Sequence, residues 1–179
     1  MADNEAEGAP GTSAADTAPD TPAQPQIKML VHFIRDLSFE NVGAMQGIIG
    51  QGNPEVSVNV NLDGNSIGDD RYQVAMKINT TAKSEEGTRF IVELDYGAIF
   101  TINGAAEDHI HPLVFVECPR LLLPFARRVI ADVTRDGGYP PLMIDNVDFA
   151  TLYRQRLAQF RSEQQSETAP AAPNGSEPA

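Results

Sequence analysis

From Ile27 to Glu40 the apolar residues fall on odd positions, Ile27, Met29, Val31, Phe33, Leu37 and Phe39, interrupted by Arg35, while the even positions close with Asp36, Ser38 and Glu40. That alternation predicts a strand with one buried face. Val56, Val58, Val60 and Leu62 alternate with Ser57, Asn59 and Asn61, and predict a second strand; Tyr72, Val74, Met76 and Ile78 predict a third. A turn between them is expected over Asp63-Gly64 to Asp70. A fourth strand, about 88–102, sends Phe90, Val92, Leu94 and Tyr96 inward and Arg89, Ile91, Glu93 and Asp95 outward, after a hairpin turn at Glu85-Glu86-Gly87. The glycine-rich stretch 42–53 is too long for a tight hairpin and reads as a crossing loop.

Beyond Gly104 the period changes. Leu122, Phe125, Ala126, Val129, Ile130 and Val133 recur at three-and-four spacing and predict a helix that begins at Pro119, is kinked at Pro124 and stops at Gly137-Gly138. A second helix starts with Asp148 as its cap and carries Phe149, Leu152, Leu157 and Phe160 on one side. The loop between the helices, Gly137-Gly-Tyr-Pro-Pro-Leu-Met143, is unusually apolar. Four strands followed by two helices packed on one sheet face make an α+β domain with a single antiparallel sheet. Two helices leave apolar surface uncovered. Leu122, Phe125, Val129 and Val133 are therefore expected to form an oligomer interface with part of the sheet edge, in closed symmetry.

Charge sharpens the boundaries. Of the formal net charge of −12, residues 1–26 contribute five acids and no base, and residues 162–179 three acids and no base, both with several prolines. Both are expected to be disordered acidic tails around an ordered domain at 27–161. A net negative domain without a basic stripe excludes nucleic acid as a natural partner. The N terminus has no basic and apolar leader, and no apolar run approaches the ~20 residues of a membrane span, so a cytoplasmic location without membrane insertion is expected. One cysteine, Cys118, precludes an internal disulfide and reads as a small core residue.

The chemistry-bearing motifs are sparse. Glu107-Asp108-His109-Ile-His111 could present two histidines to one metal on an extended segment, which supports a minority reading as a small metal-dependent enzyme, but no well-spaced third ligand follows. Gly47-Ile-Ile-Gly50-Gln-Gly52 lacks the order of a dinucleotide fingerprint. No nucleophile elbow, zinc quartet or kinase signature is present, so neither catalysis nor a cofactor is expected. The apolar loop and strand edge favour binding of extended hydrophobic polypeptide.

The order of motifs is also that of a known family. Cys118-Pro-Arg-Leu-Leu-Leu-Pro-Phe-Ala-Arg-Arg-Val-Ile130, Gly138-Tyr-Pro-Pro-Leu-Met-Ile and Val147-Asp-Phe-Ala-Thr-Leu-Tyr153 resemble the C-terminal half of the protein-export chaperone SecB. Arg35-Asp-Leu-Ser-Phe-Glu40, Asp69-Asp-Arg-Tyr72 and Gly97-Ala-Ile-Phe100 resemble that family's strands in the same order. Leu123, where Phe is common, and Asn146, in place of the usual Pro, depart from the pattern.

The resemblance implies an ATP-independent holdase, a homotetramer built as a dimer of dimers. Such a chaperone binds unfolded preproteins and delivers them to the translocation ATPase SecA; a SecB-like chaperone of a toxin–antitoxin system is the alternative. A holdase needs adaptable apolar surface. Val56, Val58, Val60, Tyr72, Tyr139, Leu142, Met143, Tyr153 and Leu157 are expected to line its client groove. The resemblance places the SecA contacts at Asp36, Glu40, Ile91 and Glu93, which strand alternation puts on one solvated face.

Overall fold

Four long strands, β1 (Gln26–Glu40), β2 (Glu55–Gly68), β3 (Arg71–Ser84) and β4 (Gly87–Asn103), form one antiparallel sheet in the order β1-β4-β3-β2. The computed structural model describes residues 25–47 and 54–167. The expectations for the acidic tails before residue 25 and after 167, and for the crossing loop over 48–53, lie outside those residues. A short helix, α1 (Val42–Met45), follows β1. After β4 come α2 (Glu107–Pro112), a π-helical turn (Leu113–Glu117), α3 (Cys118–Asp136) and α4 (Phe149–Glu167). α4 thus runs past the domain boundary expected at 161.

The inner sheet face supplies the core. Val74, Met76, Ile78 and Ala82 of β3 and Val92, Leu94, Tyr96, Ala98 and Phe100 of β4 are buried. They meet Leu122, Ala126 and Ile130 of α3 in one cluster. Burying each large aliphatic side chain contributes roughly 1.5–3 kcal/mol. α3 lies on the sheet, whereas α4 packs principally against the π turn.

Three sequence expectations change here. In β1, bulges between Met29 and Val31 and between Ile34 and Asp36 shift the phase of the strand twice. Val31 therefore pairs with Ile99 and Phe33 with Gly97 on the outer face, while His32 and Ile34 take the inner positions opposite Ala98 and Tyr96. The Asp63-Gly64 turn is absent, because β2 continues to Gly68 and reverses at Asp69 and Asp70, both at positive φ. Arg89 is buried, with its guanidinium bonded to Ser84 and Glu86.

The helical run starts at Glu107, well before Pro119. Leu122 and Val129 are buried against their own sheet, so they are not the uncovered interface residues expected; Phe125 and Val133 are half-buried. Their three-and-four spacing marks the face that closes the protomer's core. The opposite side of α3 carries exposed Leu121 beside the ion pairs Arg128–Asp132 and Arg135–Asp132. The stop at Gly137-Gly138 forms as expected: Gly138 at φ 87° lets the Tyr139 N–H donate to the Thr134 carbonyl.

Candidate client groove and outer face

The π turn determines the site. It adds a residue to the helical winding, buries Val114 and Val116, and leaves Phe115 half-buried between β2 and α4. Gly64 in β2 permits this approach, since a Cβ there would lie 2.7 Å from Val114 Cγ1 and 3.2 Å from Phe115 Cζ. Asp148 caps α4 by accepting from the Thr151 N–H at 3.0 Å and its hydroxyl at 2.7 Å, and these bonds hold its carboxyl below the usual carboxylate range. Phe149 is buried at the start of α4. The next turns of the helix then face Phe115 and β2.

Three depressions adjoin around Phe115. The first, about 390 Å³, runs between Val60 and Leu62 on one side and Leu152, Tyr153 and Arg156 on the other. The second, about 490 Å³, adds His111, Leu157 and Phe160. The third, about 280 Å³, reaches Tyr72, Glu107 and Ile110. The Phe115 and Tyr153 rings stack at 6.4 Å and 19°. His111 lies 4.6 Å from Phe115, and its Nδ1 is 2.8 Å from the Tyr153 hydroxyl. Arg156 donates to the Leu62 carbonyl at 2.8 Å, tying α4 to the open edge of β2.

Of the residues expected to line a client groove, the fold gathers Val60, Tyr72, Tyr153 and Leu157 around Phe115. Val56 and Val58 continue the Val60 face along β2, with 36% and 40% of their surface exposed. Tyr139, Leu142 and Met143 do not line these depressions. The Tyr139 hydroxyl is held by Asn41 Oδ1 at 2.9 Å and the Arg89 carbonyl at 3.1 Å, and its ring packs on Phe90. The Leu142 N–H donates to the buried Thr134 hydroxyl, and Met143 is exposed. By register, Val56 and Phe90 flank Ala82, so Tyr139, whose ring packs on Phe90, belongs to a part of the sheet two strands away from Val56.

Phe115 and Arg156 are absent from the sequence expectations, and His111 enters them only as a possible metal ligand, not as a groove residue. The spacing of four between His111 and Phe115 was the available sign, on a segment read as extended. Because that segment is helical, His109 and His111 point to different sides and cannot share a metal as an extended pair could. Among the described residues, no group of three His, Cys, Asp or Glu side chains could hold a metal ion. Cys118 is fully buried, and burial pushes its thiol up to about 12.

The outer sheet face assembles the four residues assigned to it. Glu40 stands opposite Ile91, Ser38 opposite Glu93, and Asp36 opposite Asp95. The second β1 bulge sets this phase. Ile91 is half-buried among these acids, and Arg35 lies 3.6 Å from Asp95.

The family profile described as preprotein translocase subunit SecB matches residues 20–160. The chain belongs to the SecB family. SecB relatives curated as protein-export proteins include that of Dinoroseobacter shibae, 43% identical over 90% of this chain and 95% of its own length. The SecB of Cereibacter sphaeroides is 47% identical, over 83% of this chain and 93% of the relative. Among solved structures, a SecB-like chaperone of Mycobacterium tuberculosis in complex with an antitoxin peptide superimposes with a TM-score of 0.53. It covers 68% of this chain and 90% of that chain at 11% identity, a likeness of fold. SecB membership makes this a chaperone of protein export. Among the described residues, no helix is long and apolar enough to cross a membrane.

Proposed function

We propose that this chain is a cytoplasmic, ATP-independent holdase that binds unfolded preproteins in the groove around Phe115 and passes them to SecA. The observation that carries this reading is the aromatic and aliphatic lining of the groove, open to solvent and continuous with exposed Val58 and Val56 on an unpaired strand edge. Such a surface gains affinity from apolar burial without demanding one sequence. Nothing in the cycle of capture and release requires bond chemistry, so neither enzymatic activity nor a cofactor is part of the proposal. Curated relatives at 43% and 47% identity carry protein-export names, which favours export over toxin–antitoxin service.

The working unit in this proposal is a homotetramer. β1 is an edge strand whose Leu30, Val31, Phe33, Ile34 and Leu37 are 37–47% exposed, on both sheet faces. An edge of that length and apolarity invites pairing with a second copy. Phe125 and Val133 of α3 add the remaining half-buried surface. SecA docks on the outer face through Asp36, Glu40 and Glu93, which steer a basic segment toward Ile91.

The test is fluorescence anisotropy of a labelled unfolded preprotein without nucleotide. Wild-type protein should bind, and the Phe115→Ala, Tyr153→Ala double variant should bind at least about tenfold more weakly, the loss expected for about 1.4 kcal/mol of contact. Equal affinity would move the client site elsewhere. Asp36→Lys and Glu93→Lys should leave that binding intact and weaken SecA association, whereas unchanged SecA affinity would remove the docking face from the account.

A further inference from the structure

His111 is the titratable side chain placed against the aromatic centre of the groove. Its ring lies 4.6 Å from Phe115 of the π turn and 5.3 Å from Tyr153 of α4. It lines both the 490 Å³ and the 280 Å³ depressions. Its own side chain is exposed, so an occupant of either depression meets it directly.

The hydrogen bond of 2.8 Å between His111 Nδ1 and the Tyr153 hydroxyl limits what the pair can offer that occupant. A neutral imidazole has one N–H and the phenol one O–H. One of these hydrogens is used in the mutual bond, whichever ring nitrogen carries the proton, so one donor remains for the groove. Protonation changes the inventory. The imidazolium then donates through Nδ1 to the phenol oxygen, and both Nε2–H and the phenol O–H are released, giving two donors and a positive charge. Imidazole is the side chain whose charge changes between pH 5 and 8.

The charged groups around this point are few. From α4, Arg156 lines the larger depression with its guanidinium committed to the Leu62 carbonyl, and Tyr153 is the phenol just described. From β2, Asp63 lines the same depression and pairs with Lys77 of β3 at 3.5 Å. From α2 itself, Glu107 lines the smaller depression, while Asp108 lies 3.9 Å from His109 Nε2.

We propose that His111 determines which unfolded segments the groove prefers: aromatic and aliphatic segments when the imidazole is neutral, and segments carrying carboxylates beside their apolar residues when it is charged. This rests on the reading of the Phe115 groove as the client site. An apolar side chain against the imidazolium loses favourable solvation of the charge. A carboxylate in the same place gains two donors and an opposite charge. The groove therefore exchanges one class of segment for the other as pH falls, with no change of fold.

The experiment uses the full chain and two labelled unfolded peptides of equal length and identical apolar residues. One has serines at the flanking positions and the other aspartates. Affinities are measured by anisotropy at pH 5.5 and 7.5 for wild type, His111→Gln and His109→Gln, with circular dichroism and native mass confirming the fold and assembly of each. The ratio of affinities, aspartate over serine peptide, should rise several-fold between pH 7.5 and 5.5 in wild type and in His109→Gln, and stay flat in His111→Gln. An unchanged rise in His111→Gln overturns the proposal, as does a flat ratio in wild type. Phe115→Ala at pH 7.5 separates the two layers: if it binds the serine peptide as wild type does, the groove itself is misplaced. If it loses affinity while His111→Gln keeps the pH response, only the role of His111 fails.

Discussion

Arg156 of α4 donates a hydrogen bond of 2.8 Å to the backbone carbonyl of Leu62 on the open edge of β2. This contact bridges the groove from helix to sheet. It also occupies one backbone acceptor on the outer edge of β2 that an added strand would otherwise use.

Replacing Arg156 by Ala should loosen α4 without unfolding the domain. A partly exposed hydrogen bond of this kind contributes about 0.5–1.5 kcal/mol. Hydrogen exchange over 150–162 should accelerate while that of β3 and β4 stays unchanged. Equal protection of α4 in both proteins would show that Phe149 and the π turn hold the helix alone.

Gly64→Ala should be costly although Gly64 lies in an ordinary strand. Its added methyl would meet Val114 Cγ1 at 2.7 Å, and Val114 is buried. Overpacking of this kind costs about 1–3 kcal/mol. The melting temperature should drop and unfolded-client affinity should fall with it, because Phe115 moves with Val114. Gly47→Ala, at a positive φ with open space around it, tests backbone strain without that contact.

Cys118 makes stability fall at high pH. Its thiol is raised from an ordinary 9.0 to about 12 by burial, with the nearby Glu117 charge second. The unfolded chain therefore releases the proton first: the stabilising contribution is complete below about pH 9 and is lost as pH rises toward about 12. Each unit of that window removes about 1.4 kcal/mol from this group. Denaturant titrations of wild type and Cys118→Ala at pH 8 and 10.5 should show a steeper loss in wild type. Parallel losses would contradict the burial argument.

Assembly should depend on β1 more than on α3. Val31→Lys combined with Ile34→Lys places charges on both faces of the exposed edge, and should yield smaller species in sedimentation at micromolar concentration. Leu121→Lys, on the exposed side of α3, should act more weakly. An intact tetramer in the β1 variant would place the interface elsewhere.

Much of the sheet was legible because β4 alternates without interruption: Phe90, Val92, Leu94 and Tyr96 are buried as their spacing predicts. β1 was not, since its bulges leave the composition of the strand intact while reversing the side to which Val31 and Phe33 belong. Gly64 looked like a turn residue because the reason for it, the approach of Val114, comes from a segment fifty residues away in the chain. The groove was half legible for a similar reason. Tyr153 and Leu157 sit on a regular helix, but Phe115 sits on a π turn, which breaks the 3.6-residue period, beside a proline and two histidines that discouraged a helical reading. Tyr139 was apolar enough to suggest client contact, yet its hydroxyl shows it fastening the helix-connecting loop to Asn41 and Arg89.

The central claim is that unfolded polypeptide occupies the groove between β2, the π turn and α4. A photo-reactive phenylalanine placed at Leu157, which lines the groove, and separately at Asn79, exposed on the outer sheet face, tests it directly. With an unfolded preprotein and no nucleotide, illumination should give a covalent adduct from position 157 and little from position 79, and the folded form of the same preprotein should give neither. Adducts from position 79 equal to those from 157, or client binding with no adduct at 157, would contradict the account.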